Sequence, residues 1–467
     1  MAHVAEAPAA SPDAGERGVG HGSPAAPTCC VIGAGAAGLA AAEALSRAGW
    51  AVTVREARDR IGGRCAHALL AGADVDLGAE FSHGRGAVLD LCAKAGIEAR
   101  ALYSYDESAP PEMRTRVWAD GELSDGNGTD HAATRACRAL YEEIMGDERW
   151  DSTRPEGGDD VSFATLTRER GLSASTIGVF DAMHAVEYAT SLDDLGVLEW
   201  RRREEVLHDC ETDYSLQGRF THSLSWLKWG AMAAGAQIIL SAPVMRAQAL
   251  ADHVLVDGQR FDASIVTVPL GVLQQGGIEL VGLSATFRAA VSAVRFHSAS
   301  KVVVAIAPGE WARCVTSPIP PMVLSGSADA FAKQIWTRRT ASGVVLLTGF
   351  LAGPRDSAVA EVLSCDEAAE RLVAQFSQLL GLKSSPAYLD ALKKVSWGAT
   401  DPWAAGAYSS PTVGACGAWR ALQDTGSEVL LYAGEAVSER GSTVDSALDS
   451  GRRAAAELCA SLKAARA

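Results

Sequence analysis

A chain of 467 residues with 48% hydrophobic content exceeds the ordinary size of one compact domain, so we expect two domains. Its 57 acidic residues outnumber its 42 basic residues and leave a formal net charge of −15, which argues against a nucleic-acid partner because such partners need a basic surface. No stretch approaches the roughly 18 to 20 consecutive apolar residues of a membrane span, so no membrane partner is expected. The ten cysteines are scattered without a C-x-x-C pair, which predicts no metal site and favours reduced core thiols in a cytoplasmic protein.

The chain begins with a stretch, residues 1–27, that is rich in Ala, Gly, Pro and Ser. It lacks the basic start and the apolar segment of a signal peptide. We therefore predict a disordered tail that precedes the folded domains.

Residues 28–64 carry the ordered signals of a dinucleotide-binding βαβ unit. An apolar strand, Cys29–Ile32, runs into the glycine turn GAGAAG at 33–38, and an alanine-rich helix and a second strand, Ala51–Arg55, follow. Glu56 ends the second strand, where a carboxylate accepts hydrogen bonds from the adenosine ribose of a bound dinucleotide.

Each glycine of this turn has a distinct physical role. Gly33 permits the tight turn, Gly35 lets the backbone approach a pyrophosphate, and Gly38 lets helix and strand pack closely. The helix begins at Ala36 and Ala37, where free N–H groups and the helix dipole favour a phosphate. The turn therefore predicts the pyrophosphate site of a dinucleotide.

The unit continues into EARDRIGGR at 56–64, and DLGAEFSHG follows at 76–84. Both stretches resemble the flavin-binding blocks of the flavin-containing amine oxidase superfamily, which includes monoamine and polyamine oxidases, amino-acid oxidases and flavin-type histone lysine demethylases. The resemblance implies FAD as the dinucleotide, with the second glycine pair and its arginine on the pyrophosphate and ribitol and with the later block against the flavin. The implied cofactor-binding residues of these blocks are Glu56, Ala57, Arg58, Gly62, Gly63, Arg64, Gly78, Ala79 and Glu80.

The stretch up to residue 220 carries little of this resemblance, so we expect it to shape the substrate site. AVLDLCAKAGI, after residue 86, predicts a helix, and the apolar patterns that begin near residues 163 and 175 predict further helices. Residues 103–160 are polar and rich in Pro, Gly and Asp, and they predict loops and short elements.

Residues 216–280 return to an α/β pattern with a hairpin predicted around Asp257-Gly258. In the superfamily a similar strand-and-turn block holds the adenine edge through the backbone of a valine, and Val244 is the match. LQGRF at 216–220 departs from the paired glycines that usually precede this helix.

SASKVVVAIAP at 298–308 predicts a strand, because it is rich in β-branched residues and ends at a proline. It formally fits the S-x-x-K pattern of penicillin-recognising serine enzymes, which requires a helix after the serine and a K-T-G partner that this chain lacks. The superfamily places a lysine at the start of such a strand, over the flavin, so the resemblance implies that Lys301 is catalytic through a water at flavin N5. Because burial without a carboxylate favours the neutral amine, we predict an uncharged Lys301 that orients water or promotes oxygen reduction. The competing interpretation is a strand-end lysine that reaches solvent.

WGATDPWAAGAYSS at 397–410 resembles the block that supplies one wall of the aromatic substrate cage. It implies Tyr408 as a substrate-binding aromatic residue and Trp397 at the flavin edge. Monoamine oxidases tether the flavin through a cysteine just before this tyrosine, and Ala407 stands there, so we expect non-covalent FAD. The second cage position aligns with Thr443, which favours the polyamine oxidase and lysine demethylase branch.

The C-terminal stretch resembles the second flavin block of the superfamily. It predicts a strand over 429–433 and a helix that begins near Thr443. The resemblance implies that Glu435, next to Gly434, contacts the ribitol. It also implies that the backbone N–H groups of Thr443 and Val444 meet the flavin edge, where a helix N-terminus stabilises the charge of a reduced ring.

His83 matches a histidine that several polyamine oxidases turn toward the substrate. A neutral imidazole there would accept a hydrogen bond from a substrate ammonium. The alternative is a turn histidine that is satisfied by its neighbours. Glu187 and Asp213 are candidates for anchoring a second ammonium group.

Together these features predict an α/β fold in which a Rossmann-type FAD-binding domain is interleaved with a mixed α+β substrate domain, the amine oxidase fold. The FAD-binding domain takes residues 28–88, 221–292 and 396–460, and the substrate domain takes residues 89–220 and 293–395.

The activity that the resemblance implies is oxidation of an amine C–N bond by hydride transfer to flavin N5, which gives an imine or aldehyde and H₂O₂ with O₂ as acceptor. The expected partners are a small-molecule amine and O₂. An L-amino-acid oxidase of the same fold would need an arginine clamp for the carboxylate, from Arg219 or from residues 201–203. A flavin dehydrogenase or desaturase acting on C–C bonds would need neither Lys301 nor the cage, and a flavin-binding scaffold would not react with amines.

Overall fold

The structure is a computed structural model. It describes residues 26–104, 110–124, 131–151, 160–207, 212–216, 220–315, 320–394, 397–398, 400–438 and 440–466. The predicted disordered tail lies outside the described residues apart from positions 26 and 27.

The strands are, in chain order, β1 Thr28–Ile32, β2 Ala51–Arg55, β3 His67–Leu70, β4 Ala73–Asp76, β5 Phe81–His83, β6 Ala99–Ser104, β7 Arg116–Ala119, β8 Glu122–Ser124, β9 Thr212–Leu216, β10 Gln237–Ile239, β11 Arg246–Ala249, β12 Val254–Val256, β13 Gln259–Phe261, β14 Ala263–Val266, β15 Glu279–Val281, β16 Arg295–His297, β17 Ala299–Ile306, β18 Met322–Ser325, β19 Gln334–Arg339, β20 Val345–Ala352, β21 Asp390–Lys394, β22 Tyr408–Ser410 and β23 Leu430–Tyr432. The α-helices are α1 Ala36–Arg47, α2 Ala87–Ala95, α3 Ala132–Gly146, α4 Phe163–Glu169, α5 Ala174–Phe180, α6 Val197–Leu207, α7 Phe220–Ala233, α8 Leu270–Gln274, α9 Ala285–Ala293, α10 Pro308–Cys314, α11 Pro354–Val362, α12 Cys365–Leu379, α13 Ala418–Gln423 and α14 Val444–Arg466.

A five-stranded parallel sheet with the order β10-β2-β1-β14-β23 contains the predicted βαβ unit, which is confirmed. Its strands come from three separated parts of the chain, yet they share one core with α1, α7 and α14. Gly451 of α14 allows this packing, because a Cβ there would lie 2.1 Å from the carbonyl oxygen of Ala37 in α1. The closing helix of the chain is therefore held against the opening glycine turn.

A second, larger sheet has seven strands in the order β21-β17-β20-β19-β18-β7-β8. The predicted strand at residues 298–308 is confirmed as β17, in which every residue is buried. One face of β17, with Val302 and Val304, packs against α12, whereas Val303 and Ala305 pack against the β3–β4 hairpin. Lys301 shares the face of Val303, because side chains alternate along a strand, and this directs it toward the segment that follows β4.

The predicted hairpin around Asp257-Gly258 is confirmed as β12–β13. Asp257 has φ of 47° and Gly258 has φ of 83°, which are the paired left-handed conformations of a tight two-residue turn.

The prediction of only loops and short elements over residues 103–160 is wrong for α3, a helix of 15 residues. Its buried residues Ala133, Cys137, Leu140 and Ile144 are spaced by four, three and four positions, which is the stripe of an amphipathic helix. The polar residues between them, which lie on the outer face, dominated the local composition. Within the described part of the chain, no helix is both long enough and apolar enough to cross a membrane.

Candidate active site

One cavity brings together chain segments that are far apart in sequence. It is lined by the first glycine turn, the link between β4 and β5, the start of β17, the stretch before β22 and the start of α14. The catalytic, cofactor-binding and substrate-binding residues expected from the sequence all line this cavity except Gly38, and of the two candidate ammonium anchors Glu187 lines it and Asp213 does not. The expected catalytic, cofactor-binding and substrate-binding residues that line it are Gly33, Gly35, Ala36, Ala37, Glu56, Ala57, Arg58, Gly62, Gly63, Arg64, Gly78, Ala79, Glu80, His83, Val244, Lys301, Trp397, Tyr408, Gly434, Glu435, Thr443 and Val444.

The glycine turn after β1 has the shape that a pyrophosphate needs. Gly33 has φ of +109°, which disfavours any side chain, and a Cβ on Gly35 would meet no heavy atom within 4 Å, so that glycine faces open space. A Cβ on Gly38 would lie 2.0 Å from the carbonyl oxygen of Gly33, which explains why Gly38 lies behind the cavity wall. The turn thus fits a dinucleotide phosphate at the start of α1.

The predicted ribose end is organised around Glu56, which is buried at the end of β2. Its Oε2 accepts the backbone N–H of Ala34 at 2.6 Å and its Oε1 accepts that of Arg58 at 2.9 Å. The Arg58 guanidinium donates to Asp401 at 2.8 Å and lies 5.8 Å from the ring centroid of Trp397. Asp401 was not anticipated from the sequence, although it lies within the quoted stretch at 397–410.

Glu435, which the resemblance places at the ribitol, connects three separate segments of the chain. Its Oε2 accepts the hydroxyl of Ser409 at 2.6 Å and the backbone N–H of Ser442 at 3.0 Å. Its Oε1 accepts from Arg64 at 3.2 Å, and Arg64 also donates to the carbonyl oxygen of Ala407 at 2.7 Å. This network fixes β22 and the start of α14 on the same side of the cavity.

Lys301 is buried at the cavity wall, with 7% of its side chain exposed. Its Nζ donates to Glu80 Oε2 at 2.7 Å, to the carbonyl oxygen of Gly78 at 2.7 Å and to that of Asp76 at 3.3 Å. The interpretation as a solvent-reaching lysine is therefore wrong. The premise that no carboxylate lies beside this amine is also wrong, because Glu80 Oε2 lies 2.7 Å from Nζ. Glu80 reaches this position because the chain turns back after β4, which no local pattern revealed.

An aromatic wall stands beside Lys301 and was not predicted from the sequence. Trp336 of β19 packs edge-on against Phe81 with ring centroids 5.2 Å apart and lies 6.1 Å from Phe350 of β20. All three residues line the cavity. Phe81 lies within the block at 76–84, whereas the strands of Trp336 and Phe350 carry none of the motifs on which the resemblance rests. A buried aromatic residue on a strand carries no local sign of facing a site.

His83 and Asp213 are direct cross-strand partners on β5 and β9. His83 Nδ1 lies 2.7 Å from Asp213 Oδ1. Burial alone would lower the pKa of His83, but the charge and the hydrogen bond of Asp213 outweigh it and raise this pKa to about 9. The expectation of a neutral, accepting imidazole at pH 7 is therefore corrected: the raised pKa favours the imidazolium, whose Nδ1 donates to Asp213.

Glu187 lines the same cavity a few residues after the single-turn π-helix Asp181–Ala185. Its side chain is open to the cavity. Desolvation by the surrounding cavity walls is the main cause that raises its pKa, to about 7, with the charge of His83 opposing the effect and that of Asp213 adding to it. The carboxyl group is therefore balanced between its neutral and ionised forms near pH 7. A cation placed beside it would favour the ionised form.

Three of the arginines considered for a carboxylate clamp, residues 201–203, lie in the described part of the chain and do not line the cavity. Arg201 donates to Glu205 at 2.9 Å, Arg202 lies 5.7 Å from the ring centroid of Trp419, and Arg203 donates to Ser442 at 2.7 Å. Each of these three arginines therefore already contacts another side chain of the protein. The remaining candidate, Arg219, lies outside the described residues.

Fold and site together define a dinucleotide-dependent oxidoreductase, because the glycine turn, the acidic strand end and the closing helix all meet one cavity that also holds ionisable side chains. The model of the flavin containing amine oxidoreductase family matches residues 36–459, so the chain belongs to that family. It is therefore an oxidoreductase that acts on CH–NH or CH–NH₂ groups with a flavin cofactor.

Individual relatives agree with this family. The chain is 27% identical over 454 residues to polyamine oxidase 4 of Oryza sativa subsp. japonica, an alignment that covers 92% of this chain and 88% of that protein. It is 27% identical over 459 residues to the human lysine-specific histone demethylase 2, covering 92% of this chain and 53% of that protein. A putrescine oxidase structure with bound putrescine matches with a TM-score of 0.74 at 20% identity over 93% of this chain and 100% of that chain, which confirms the amine oxidase fold.

Proposed function

We propose that this protein is an oxidase of amines that carry a second positively charged nitrogen, with non-covalently bound FAD and with O₂ as the electron acceptor. Bound FAD supplies the acceptor for the hydride that leaves the carbon next to the reacting nitrogen. The substrate loses two electrons and two protons and becomes an imine, and O₂ gains both and becomes H₂O₂. Water then adds to the imine and releases an aldehyde and an amine.

The observation that carries this proposal is the placement of Glu187 in the cavity that also contains Lys301 and Tyr408. The reacting nitrogen would lie near Tyr408, whose ring face favours an amine. Glu187 would accept the hydrogen bond of a second ammonium group, and the ion pair between His83 and Asp213 would keep His83 from competing as an acceptor. A diamine or a longer polyamine satisfies both positions.

Two observations support non-covalent FAD. Ala407 stands where a tethering cysteine would be needed. The cysteine that lines the cavity, Cys65, is buried, and burial raises the pKa of its thiol to about 12, so it is not a thiolate at neutral pH. Acid precipitation of the purified protein should therefore leave all the yellow colour in the supernatant, and colour retained in the pellet would contradict the proposal.

The substrate class is tested by anaerobic mixing of the yellow protein with three groups of compounds, while the absorbance near 450 nm is followed. We expect 1,4-diaminobutane or longer polyamines to bleach the flavin fastest, butylamine to bleach it slowly and α-amino acids to leave it unchanged. Faster bleaching by an L-amino acid would favour an amino-acid oxidase. Bleaching by none of the amines would favour a C–C desaturase or a flavin-binding scaffold.

A further inference from the structure

The hydrogen bonds around Lys301 determine its charge. A lysine ammonium has three N–H donors, and the three acceptors at its Nζ are Glu80 Oε2, the Gly78 carbonyl oxygen and the Asp76 carbonyl oxygen. A neutral amine has two N–H donors and a lone pair, so one of these three oxygens would face the lone pair. The three acceptor oxygens thus match the three donors of the ammonium form.

Glu80 is itself held from two sides. While its Oε2 accepts from Lys301, its Oε1 accepts the indole N–H of Trp336 at 3.2 Å, and only 9% of its side chain is exposed. The same indole ring lies 5.3 Å from Lys301 Nζ, which adds a cation–π attraction. Neither member of the ion pair can turn away without leaving a buried polar group unpaired.

We propose that Glu80 is a positioning residue that keeps Lys301 charged with all three N–H groups occupied, so that Lys301 acts on the flavin cavity through its charge and not as a proton acceptor. This inference rests on the proposed function, because it assigns how Lys301 serves that site. A fixed positive charge beside a flavin favours the negative charge that the ring gains on reduction.

The other ionisable groups around the pair support Glu80 as the counter-ion. Burial, and then the charge of Glu80, raises the pKa of the Asp76 carboxyl to about 7, so it is partly neutral at physiological pH. The thiol of Cys65 is protonated in the same range, as described above. Arg338 donates to the carbonyl oxygen of Asp74, and Arg64 is paired with Glu435. Glu80 is thus the carboxylate in direct contact with Lys301 among the described residues.

The charge of Lys301 can be read by NMR in the yellow holoprotein grown with lysine that carries ¹³C at Cε, because that carbon shifts when the neighbouring amine loses a proton. The Lys301 signal is assigned by its loss in Lys301→Met. We expect this signal to remain at the ammonium position from pH 6 to pH 10. A wild-type signal at the neutral-amine position near pH 8 would by itself overturn the proposal, whatever the variants do.

Glu80→Gln removes the counter-ion and keeps the shape. A buried lysine without a carboxylate favours the neutral amine, so we expect the Lys301 signal of this variant to move to the neutral-amine position within the same pH range. An unmoved signal in Glu80→Gln would overturn the role given to Glu80.

Asp181→Asn is the matched control, because it breaks the half-buried ion pair between Asp181 and Lys333, whose residues do not line the cavity. It should leave the Lys301 signal unchanged. The measurement needs no amine turnover, so it stands even when no tested amine bleaches the flavin, and that second result would contradict the proposed function alone.

Discussion

The nucleotide end and the amine end of the cavity are lined by different chemical groups. At the nucleotide end the pyrophosphate wall is backbone, and the ionisable side chains there are paired within the protein: Glu56 with two backbone N–H groups, Arg58 with Asp401 and Arg64 with Glu435. At the amine end the wall consists of ionisable side chains, His83, Glu187 and Lys301 among them, beside aromatic rings. Backbone donors do not titrate, whereas the carboxyl and imidazole groups at the amine end change charge between about pH 7 and pH 9. Cofactor binding should therefore depend on shape, and substrate binding on pH and charge.

The largest expected effect concerns the backbone end. Gly38→Val introduces a side chain where even a Cβ would lie 2.0 Å from the Gly33 carbonyl oxygen, so we expect a loss of about 3 kcal/mol or more of folding free energy and little yellow protein. Gly35→Ala meets no protein atom within 4 Å, so its apoprotein should melt like the wild type while its affinity for FAD falls. Thermal melting and the ratio of absorbance at 450 and 280 nm measure both effects.

Gly309→Ala is the control for these glycine variants, because its Cβ would meet nothing within 4 Å and it lies on α10, away from the cavity. It should change neither property. Equal losses of stability in Gly35→Ala and Gly38→Val would contradict the distinction between Gly35, which faces the cavity, and Gly38, which packs against the turn.

The next effect concerns Glu187. Glu187→Gln leaves a second ammonium without its charged acceptor, so we expect kcat/KM for 1,4-diaminobutane to fall about 10²-fold, while that for butylamine changes less than about threefold. Steady-state kinetics with both substrates measure this difference. Glu98→Gln is the control. Glu98 is exposed, directly precedes β6 and is paired with Arg100, so this variant removes the same charge outside the cavity and should leave both kcat/KM values unchanged. A parallel fall for both substrates would contradict the assignment.

A smaller effect is expected from pH. Because the pKa of Glu187 is raised to about 7, its ionised fraction rises from about one tenth at pH 6 to about nine tenths at pH 8. The KM for a diamine should therefore fall about tenfold over this range. The slope should disappear in Glu187→Gln, and a slope retained there would place the titrating group elsewhere.

The smallest effect concerns stability. The pKa of His83 in the folded protein, about 9, lies above the ordinary value of 6.5, so its ion pair with Asp213 stabilises the fold fully below about pH 6.5 and loses this contribution as the pH rises through about 9. His83→Gln should therefore melt a few degrees below the wild type at pH 6, and the difference should shrink by pH 9.5. A difference that grows with pH would contradict the protonated imidazole.

The two ends also differ in how far the sequence predicted them. The glycine turn, the acidic strand end at Glu56 and the strand that carries Lys301 follow from local spacing and from resemblance, and the parallel sheet and its βαβ unit are confirmed. The domain boundaries and the roles of the individual site residues stay predictions. At the amine end the sequence pointed to His83, Glu187 and Asp213 but not to Trp336, whose position depends on the pairing of β19 with β20.

The amino-acid sequence by itself determined the dinucleotide-binding class, because phosphate recognition needs glycines at fixed spacing within one short segment, and that spacing can be read directly along the chain. Only the tertiary structure decided the charges of the amine end. The carboxylate that pairs with Lys301 lies 221 positions away, and the one that pairs with His83 lies 130 positions away. An ionisable group takes its charge from neighbours in space, and sequence distance carries no information about which buried groups will meet.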